Sequence, residues 1–231
     1  MRVSTVVLYT KGDDLVSWRK SLPKDNIEVI ACEIRFDNSL DSVKIEEIGQ
    51  TKEIVSLVIT FPTLEDHFDF SFCRNTADKY ATGEWIFHMD SDERLAVPHD
   101  EFWLYMQALN QSEADSAYVS IAGITRENKH TRTQSYDQRY NNPNMRLHRR
   151  TSKLQWQGIC HETLKVIEDG IVVADTEILL YHKGYAIEDQ EMENKLTRNA
   201  KLLVREYMRD KSERNWSYLI KTFSLINKQG K

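Results

Sequence analysis

The stretch Gly83-Glu84-Trp85-Ile86-Phe87-His88-Met89-Asp90-Ser91-Asp92-Glu93-Arg94-Leu95 constrains this chain most, because a short apolar run ends in three carboxylates within four residues. Trp85 to Met89 follows a glycine and is too short for a helix, which predicts a buried strand. Asp90, Asp92 and Glu93 crowded past its end repel one another unless a cation or hydrogen-bond donors offset them. Something positive belongs there. In open α/β sheets ligands bind beyond the carboxyl ends of strands, and a hard divalent cation with a phosphate is a common partner of an Asp-x-Asp pair. The tripeptide alone leaves a solvated acidic turn as the alternative.

The preceding residues set the fold class. Val3 to Tyr9 is apolar, β-branched and uncharged, as in the central strand of a parallel sheet, and ends at Thr10-Lys11-Gly12. Asp13-Asp14 offers a cap for a short helix through Trp18 and Leu22, stopped by Pro23. Strands are expected at Ile27–Phe36 and Ile54–Thr60, with a helix over 39–49 between them. Strand, helix, strand, helix, strand is the pattern of a doubly wound α/β unit. A helix over 70–81 closes on Gly83 as its C′ residue, and Pro98-His99-Asp100 starts another through Phe102, Tyr105, Met106 and Leu109.

Further on, Ala117–Ile124 reads as a strand, as do 170–174 and 178–181. From Glu188 the pattern turns helical. Leu196, Ala200, Leu203 and Tyr207 form one stripe, and Trp216, Leu219, Ile220, Phe223 and Ile226 a second, both read as packing faces. The division expected is residues 1–186 as one domain and 187–231 as helices packed on it.

Charge and composition exclude several classes. At 231 residues, 40% apolar, with a net charge of −5, the chain is an ordinary globular one and not a disordered one. No apolar run approaches the roughly 20 residues of a membrane span, and the first residues lack a cleavage-site pattern, so a cytoplasmic protein without a transmembrane segment is expected. Cys32, Cys73 and Cys160 read as buried reduced thiols. The charge is uneven, since 126–153 holds eight Lys/Arg against Glu127 and Asp137. Such a segment faces an anion or is merely solvated; its polar composition reads as a long loop able to close over a ligand.

Together, Arg74-Asn75, Ala81-x-Gly83-Glu84-Trp85-Ile86, Asp90-Ser91-Asp92-Glu93-x-Leu95, Arg146-Leu147, Gly158 with His161-Glu162-x-Leu164, His182-x-Gly184-Tyr185 and Lys195-x-x-Arg198-Asn199 resemble the family two glycosyltransferases of the GT-A fold. The nearest subgroup in pattern is that of lipopolysaccharide-core β-glucosyltransferases. The likeness runs from about Phe70 to Tyr207. The first sixty residues depart from it, because Glu33-Ile34-Arg35-Phe36-Asp37-Asn38-Ser39 replaces the family's Asp-x-Gly-Ser-x-Asp turn.

The resemblance implies a Rossmann-like mixed sheet flanked by helices with a C-terminal helical extension. It also implies inverting transfer of a sugar from a nucleotide-diphosphate sugar, most often a UDP-sugar, to an acceptor hydroxyl on a glycan, a lipid-linked sugar or another molecule. It places Tyr9, Thr10, Arg74, Asn75, Asp90, Ser91 and Arg146 on the donor, Asp90, Asp92 and His182 on Mn²⁺ or Mg²⁺, and Glu162 as general base. An imidazole suits Mn²⁺ better than Mg²⁺. His161 is left with three readings, orienting Glu162, binding the metal or packing. Two rival functions share the Asp-x-Asp signal. A nucleotidyltransferase would want a better phosphate loop than Thr10-Lys11-Gly12. A sugar transferase acting on nucleic acid fits the basic segment but lacks a recognisable nucleic-acid module.

Overall fold

Val3 to Tyr9 forms the middle of a nine-stranded sheet. In the computed structural model, which describes residues 1–127, 134–167, 170–183 and 189–229, β1 (Val3–Tyr9) lies between β2 (Ile27–Phe36) and β5 (Trp85–His88), parallel to both. All of β1 but its last residue is buried, as a strand covered on both faces must be. Beyond β2 lie β4 (Ile54–Phe61), parallel, and β3 (Lys44–Gln50), antiparallel at the edge. Beyond β5 come β8 (Gln134–Arg149), β7 (Ser116–Glu127), β11 (Val173–His182) and β6 (Glu93–Leu95), giving the order β3-β4-β2-β1-β5-β8-β7-β11-β6. A separate ribbon pairs β9 (Leu154–Gln157) with β10 (Thr163–Val166). The architecture is mixed α/β, with a C-terminal helical part.

The chain runs outward from β1 through β2 to β4, then returns to place β5 on the other side of β1. Such a switch in direction opens a crevice at the carboxyl ends of the two diverging strands. Val6 is level with His88; beyond that level β1 runs on to Tyr9, while the chain leaving β5 enters the turn that holds Ser91.

Helices cover both faces. α1 (Leu15–Lys20), the turn after it and α4 (His99–Gln111) bring Trp18, Leu22, Phe102, Met106 and Leu109 onto Val3, Val7 and Phe87. On the opposite face α3 (Phe70–Asp78), α5 (Asp189–Arg209) and α6 (Glu213–Gln229) place Cys73, Ala77, Leu202, Leu203 and Leu219 against Val6, Ile30, Ile86, Ile159 and Cys160. The short α2 (Leu64–His67) leads into α3. Asp14 and Asp69 accept the Ser17 and Phe72 N–H groups and so cap α1 and α3. The three cysteines are free and buried, and among the described residues no helix is long and apolar enough to cross a membrane.

Several expectations are corrected. The helix expected over 39–49 is β3, whose residues are all exposed, and Lys44 pairs with Thr60; the open hydrogen-bonding edge of β4 outweighs the helical propensity of Lys-Ile-Glu-Glu. α3 ends at Asp78, before Gly83. That glycine serves close approach, since a Cβ there would lie 2.6 Å from the Ser4 backbone nitrogen. The polar segment expected as a loop is instead a strand, β8, paired with β7 as far as Glu127 and Gln134; residues 128–133 lie outside the described residues. The two short strands near 170–181 are one, β11, with a register shift between Asp175 and Leu179. On α6 the buried face carries Asn215, Leu219 and Thr222, while Trp216, Ile220 and Phe223 are exposed.

Candidate active site

The acidic turn lies between β5 and β6, and two arginines neutralise it. Arg74, on α3 and only 2% exposed, donates from Nη2 to Asp90 Oδ1 at 2.6 Å and from Nε to Glu162 Oε1 at 2.6 Å. Arg146, on β8, donates from Nη2 to Asp90 Oδ2 at 3.0 Å and to Glu93 Oε1 at 3.1 Å. The positive charge that the sequence demands is thus supplied in part by the chain itself.

Each carboxylate is set differently. Burial opposes ionisation of Asp90, but Arg146 and Arg74 outweigh it and hold the group far below the usual carboxylate range. Glu93 is moved the other way, chiefly by burial, although its Oε2 accepts the Asp90 N–H at 2.8 Å. Asp92 is also held down: burial works against its charge and His182 more than compensates. His182 Nε2 is 3.2 Å from Asp92 Oδ2, and Lys195 Nζ, from α5, is 3.5 Å from the same oxygen. Burial disfavours the imidazolium, yet the Asp92 hydrogen bond and charge raise the His182 pKa above its ordinary value. The Lys183 N–H donating to the Asp92 carbonyl at 2.9 Å joins the turn to the end of β11 and puts His182 beside it.

Glu162 arrives on the loop between β9 and β10, which has unusual backbone. Gly158 has φ +110° and His161 φ +57°. A Cβ on Gly158 would meet Glu206 Oε1 at 2.9 Å, and Glu206, from α5, accepts the Cys160 N–H at 3.0 Å. Arg214 donates to the His161 carbonyl at 2.7 Å, and the His161 ring stacks on Tyr218 at 4.5 Å. Of its three readings, His161 is therefore seen packing, on α6. The Trp156 ring covers the Arg74 guanidinium, 4.8 Å from ring centre to Cζ.

The remaining candidates are more peripheral. Both ends of the Asn75 amide are taken by the Trp156 backbone, at 2.9 and 3.0 Å, so it clamps β9 to α3. The Thr10 N–H donates to Asp13 Oδ2 at 2.8 Å. Tyr9 sits at the end of β1, where burial and then Glu33 raise its hydroxyl pKa. Ser91 forms the turn, its carbonyl accepting from Arg94 at 2.8 Å. The fold thus gathers Arg74, Asp90, Arg146 and Glu162 into one network, with Asp92 and His182 beside it. Sequence reasoning named Glu93 and Lys195 within motifs without giving them a role in the site, and missed Glu206. Only the glycine at 158 hinted that something approaches that loop closely.

No protein-family model and no curated protein matches the chain. Similar solved structures include S. aureus TarS residues 1–349, at 12% identity and a TM-score of 0.46, covering 96% of this chain and 80% of that one. The same protein in complex with UDP-GlcNAc aligns at 12% identity and a TM-score of 0.44, covering 99% and 72%. A longer TarS structure aligns over 99% of this chain and 43% of its own length, at 12% identity and a TM-score of 0.44. At these values the likeness carries no argument about chemistry.

Proposed function

We propose that the chain is a glycosyltransferase that moves a sugar from a nucleotide-diphosphate sugar, a UDP-sugar in the first instance, to an acceptor hydroxyl with inversion. One observation carries the reading: at the sheet's switch point Asp92 and His182 converge on one spot, while a second carboxylate, Glu162, is held nearby through the Arg74–Asp90 network. This is the equipment of a displacement in which a diphosphate leaves one face of a carbon as a hydroxyl attacks the other.

The donor set fits Mn²⁺ or Mg²⁺. One carboxylate oxygen and one imidazole nitrogen supply two ligands, which leaves the rest of an octahedral sphere to diphosphate oxygens and water. Bound there, such an ion would neutralise charge developing on the leaving diphosphate. Both Asp90 oxygens accept from guanidinium groups, so in this geometry it positions Arg74 and Arg146 and would reach the ion through water. Arg146 and Lys195 lie beside the turn and favour an anionic ligand. Glu162 has one oxygen bonded to Arg74 and keeps 11% of its side chain exposed, so Arg74 fixes its orientation while it takes the acceptor's proton. Tyr9, Thr10 and Ser91 line the crevice where the nucleoside would lie.

A thermal-shift panel of UDP-, GDP-, ADP- and CMP-sugars, with and without Mn²⁺, tests the reading. A specific ligand at 100 times its Kd raises stability by about 2.7 kcal/mol by mass action. A metal-dependent shift for one nucleotide class, lost in Asp92→Asn, is expected; no shift with any donor overturns the proposal.

A further inference from the structure

Beside the buried Trp156 ring, Asp78, His88 and His148 meet, carried by α3, β5 and β8. One ligand-type atom from each lies within 4.8 Å of the others. The His88 side chain is fully buried, His148 is 6% exposed and Asp78 18%. None of the three takes part in the site described above.

Proton placement makes this cluster unsatisfied as it stands. His148 Nδ1 faces the Arg149 carbonyl at 3.1 Å, with Ser152 Oγ at 3.4 Å, so the proton sits on Nδ1 and Nε2 carries a lone pair. That Nε2 is buried without a hydrogen-bond partner, 3.5 Å from Asp78 Oδ2. On His88, the Trp156 indole N–H donates to Nε2 at 3.1 Å, so the ring proton sits on Nδ1, buried without a partner, and the lone pair that Trp156 occupies is on an atom 2.8 Å from Asp78 Oδ1. Asp78 Oδ1 likewise has no hydrogen-bond partner. The His88 and His148 Nε2 atoms thus face the two Asp78 oxygens in the interior, a grouping held together either by a proton on one of the rings, as in a plain His–Asp pair, or by a cation. A ring N–H donated to a backbone carbonyl is also the outer contact that fixes a metal-binding histidine in its ligating tautomer.

We propose that Asp78, His88 and His148 form a zinc site, separate from the Asp92–His182 pair and independent of the donor reading. Two histidine nitrogens and a carboxylate oxygen suit Zn²⁺. Bonds of about 2.0–2.2 Å in a tetrahedron put ligand atoms roughly 3.3–3.6 Å apart; the two separations from Asp78, 2.8 and 3.5 Å, lie near that range, and the two histidine nitrogens, within 4.8 Å of each other, would draw together on the ion. Water takes the fourth position on the side where Asp78 is exposed. The ion joins the end of α3 to β5 and β8, and so braces the strand that carries Asp90. For His88 Nε2 to bind, the Trp156 N–H must leave it, so Trp156 emission reports occupancy.

The test uses tag-free protein, stripped with chelator and dialysed, as wild type and as Asp92→Asn, which removes the other cation candidate. Zinc content, melting temperature and tryptophan emission are followed as Zn²⁺ is added. Both proteins are expected to retain one zinc per chain, to melt several degrees lower after chelation and to change emission on reloading. His148→Gln and Asp78→Asn should lose the retained zinc and the emission change while keeping the wild-type circular dichroism. If those variants do not fold, the zinc content and emission titration of the two parent proteins decide. Failure of Asp92→Asn to retain zinc, an unchanged melting temperature on chelation, or zinc retained by folded His148→Gln overturns the site.

Discussion

Replacing Arg74 by Met keeps much of the side chain's length and removes the charge that Asp90 and Glu162 share. Because Arg74 is buried, the variant strips Glu162 of this partner and leaves Asp90 with Arg146 alone, and a loss of about 3–5 kcal/mol is expected in urea unfolding. Glu162→Gln preserves size but cannot accept a proton, so donor transfer should fall roughly 10²- to 10⁴-fold with donor affinity nearly unchanged. Steady-state kinetics with single-turnover controls separates the two effects. His182 gives a pH signature. Its pKa is raised above the ordinary 6.5 as burial is outweighed by Asp92, and a cation needs the neutral ring. Mn²⁺-dependent donor affinity should therefore be low below that raised value, climb as pH passes through it and level off above, which calorimetric titrations from acid to mildly alkaline pH would show.

At the scale of elements, α3 depends on its first turn. Asp69 accepts the Phe72 N–H at 3.0 Å, and Asp69→Ala should cost about 1 kcal/mol of stability, read from the denaturation midpoint, because an orphan donor loses its cap. The start of this helix at Phe70 was legible beforehand, but its C-terminus was misplaced for an instructive reason: Gly83 resembles a C′ glycine but is there to let the chain pass the β1 backbone. β3 teaches the same lesson. Its residues bury nothing, so no hydrophobic period marks them as a strand, and only the free edge of β4 decides their state. By contrast β1, β5 and α4 were legible because burial imposes a clear pattern on them, continuous in the strands and at i, i+4, i+7 in Phe102, Met106 and Leu109.

At the scale of the molecule, the C-terminal helices both cover one sheet face and hold the Glu162 loop. Leu202, Leu203 and Leu219 share a core with Ile159 and Cys160, and Glu206 holds the Cys160 N–H. Removal of residues 187–231 should expose that core, giving strong ANS binding and a broadened thermal transition; a sharp transition without dye binding would show that the first 186 residues stand alone. The sequence by itself determined an α/β chain with a buried strand ending in carboxylates, because apolar runs and like-charge crowding are local facts. It also made Asp92, His182 and Glu162 candidates through their motifs. Only the tertiary structure decided which charges compensate which, since Arg74 reaches Asp90 and Glu162 across 16 and 88 residues, and such pairings are set by strand order and helix packing rather than by spacing along the chain. The Asp78–His88–His148 cluster is of the same kind: three unremarked residues become neighbours because α3, β5 and β8 converge there.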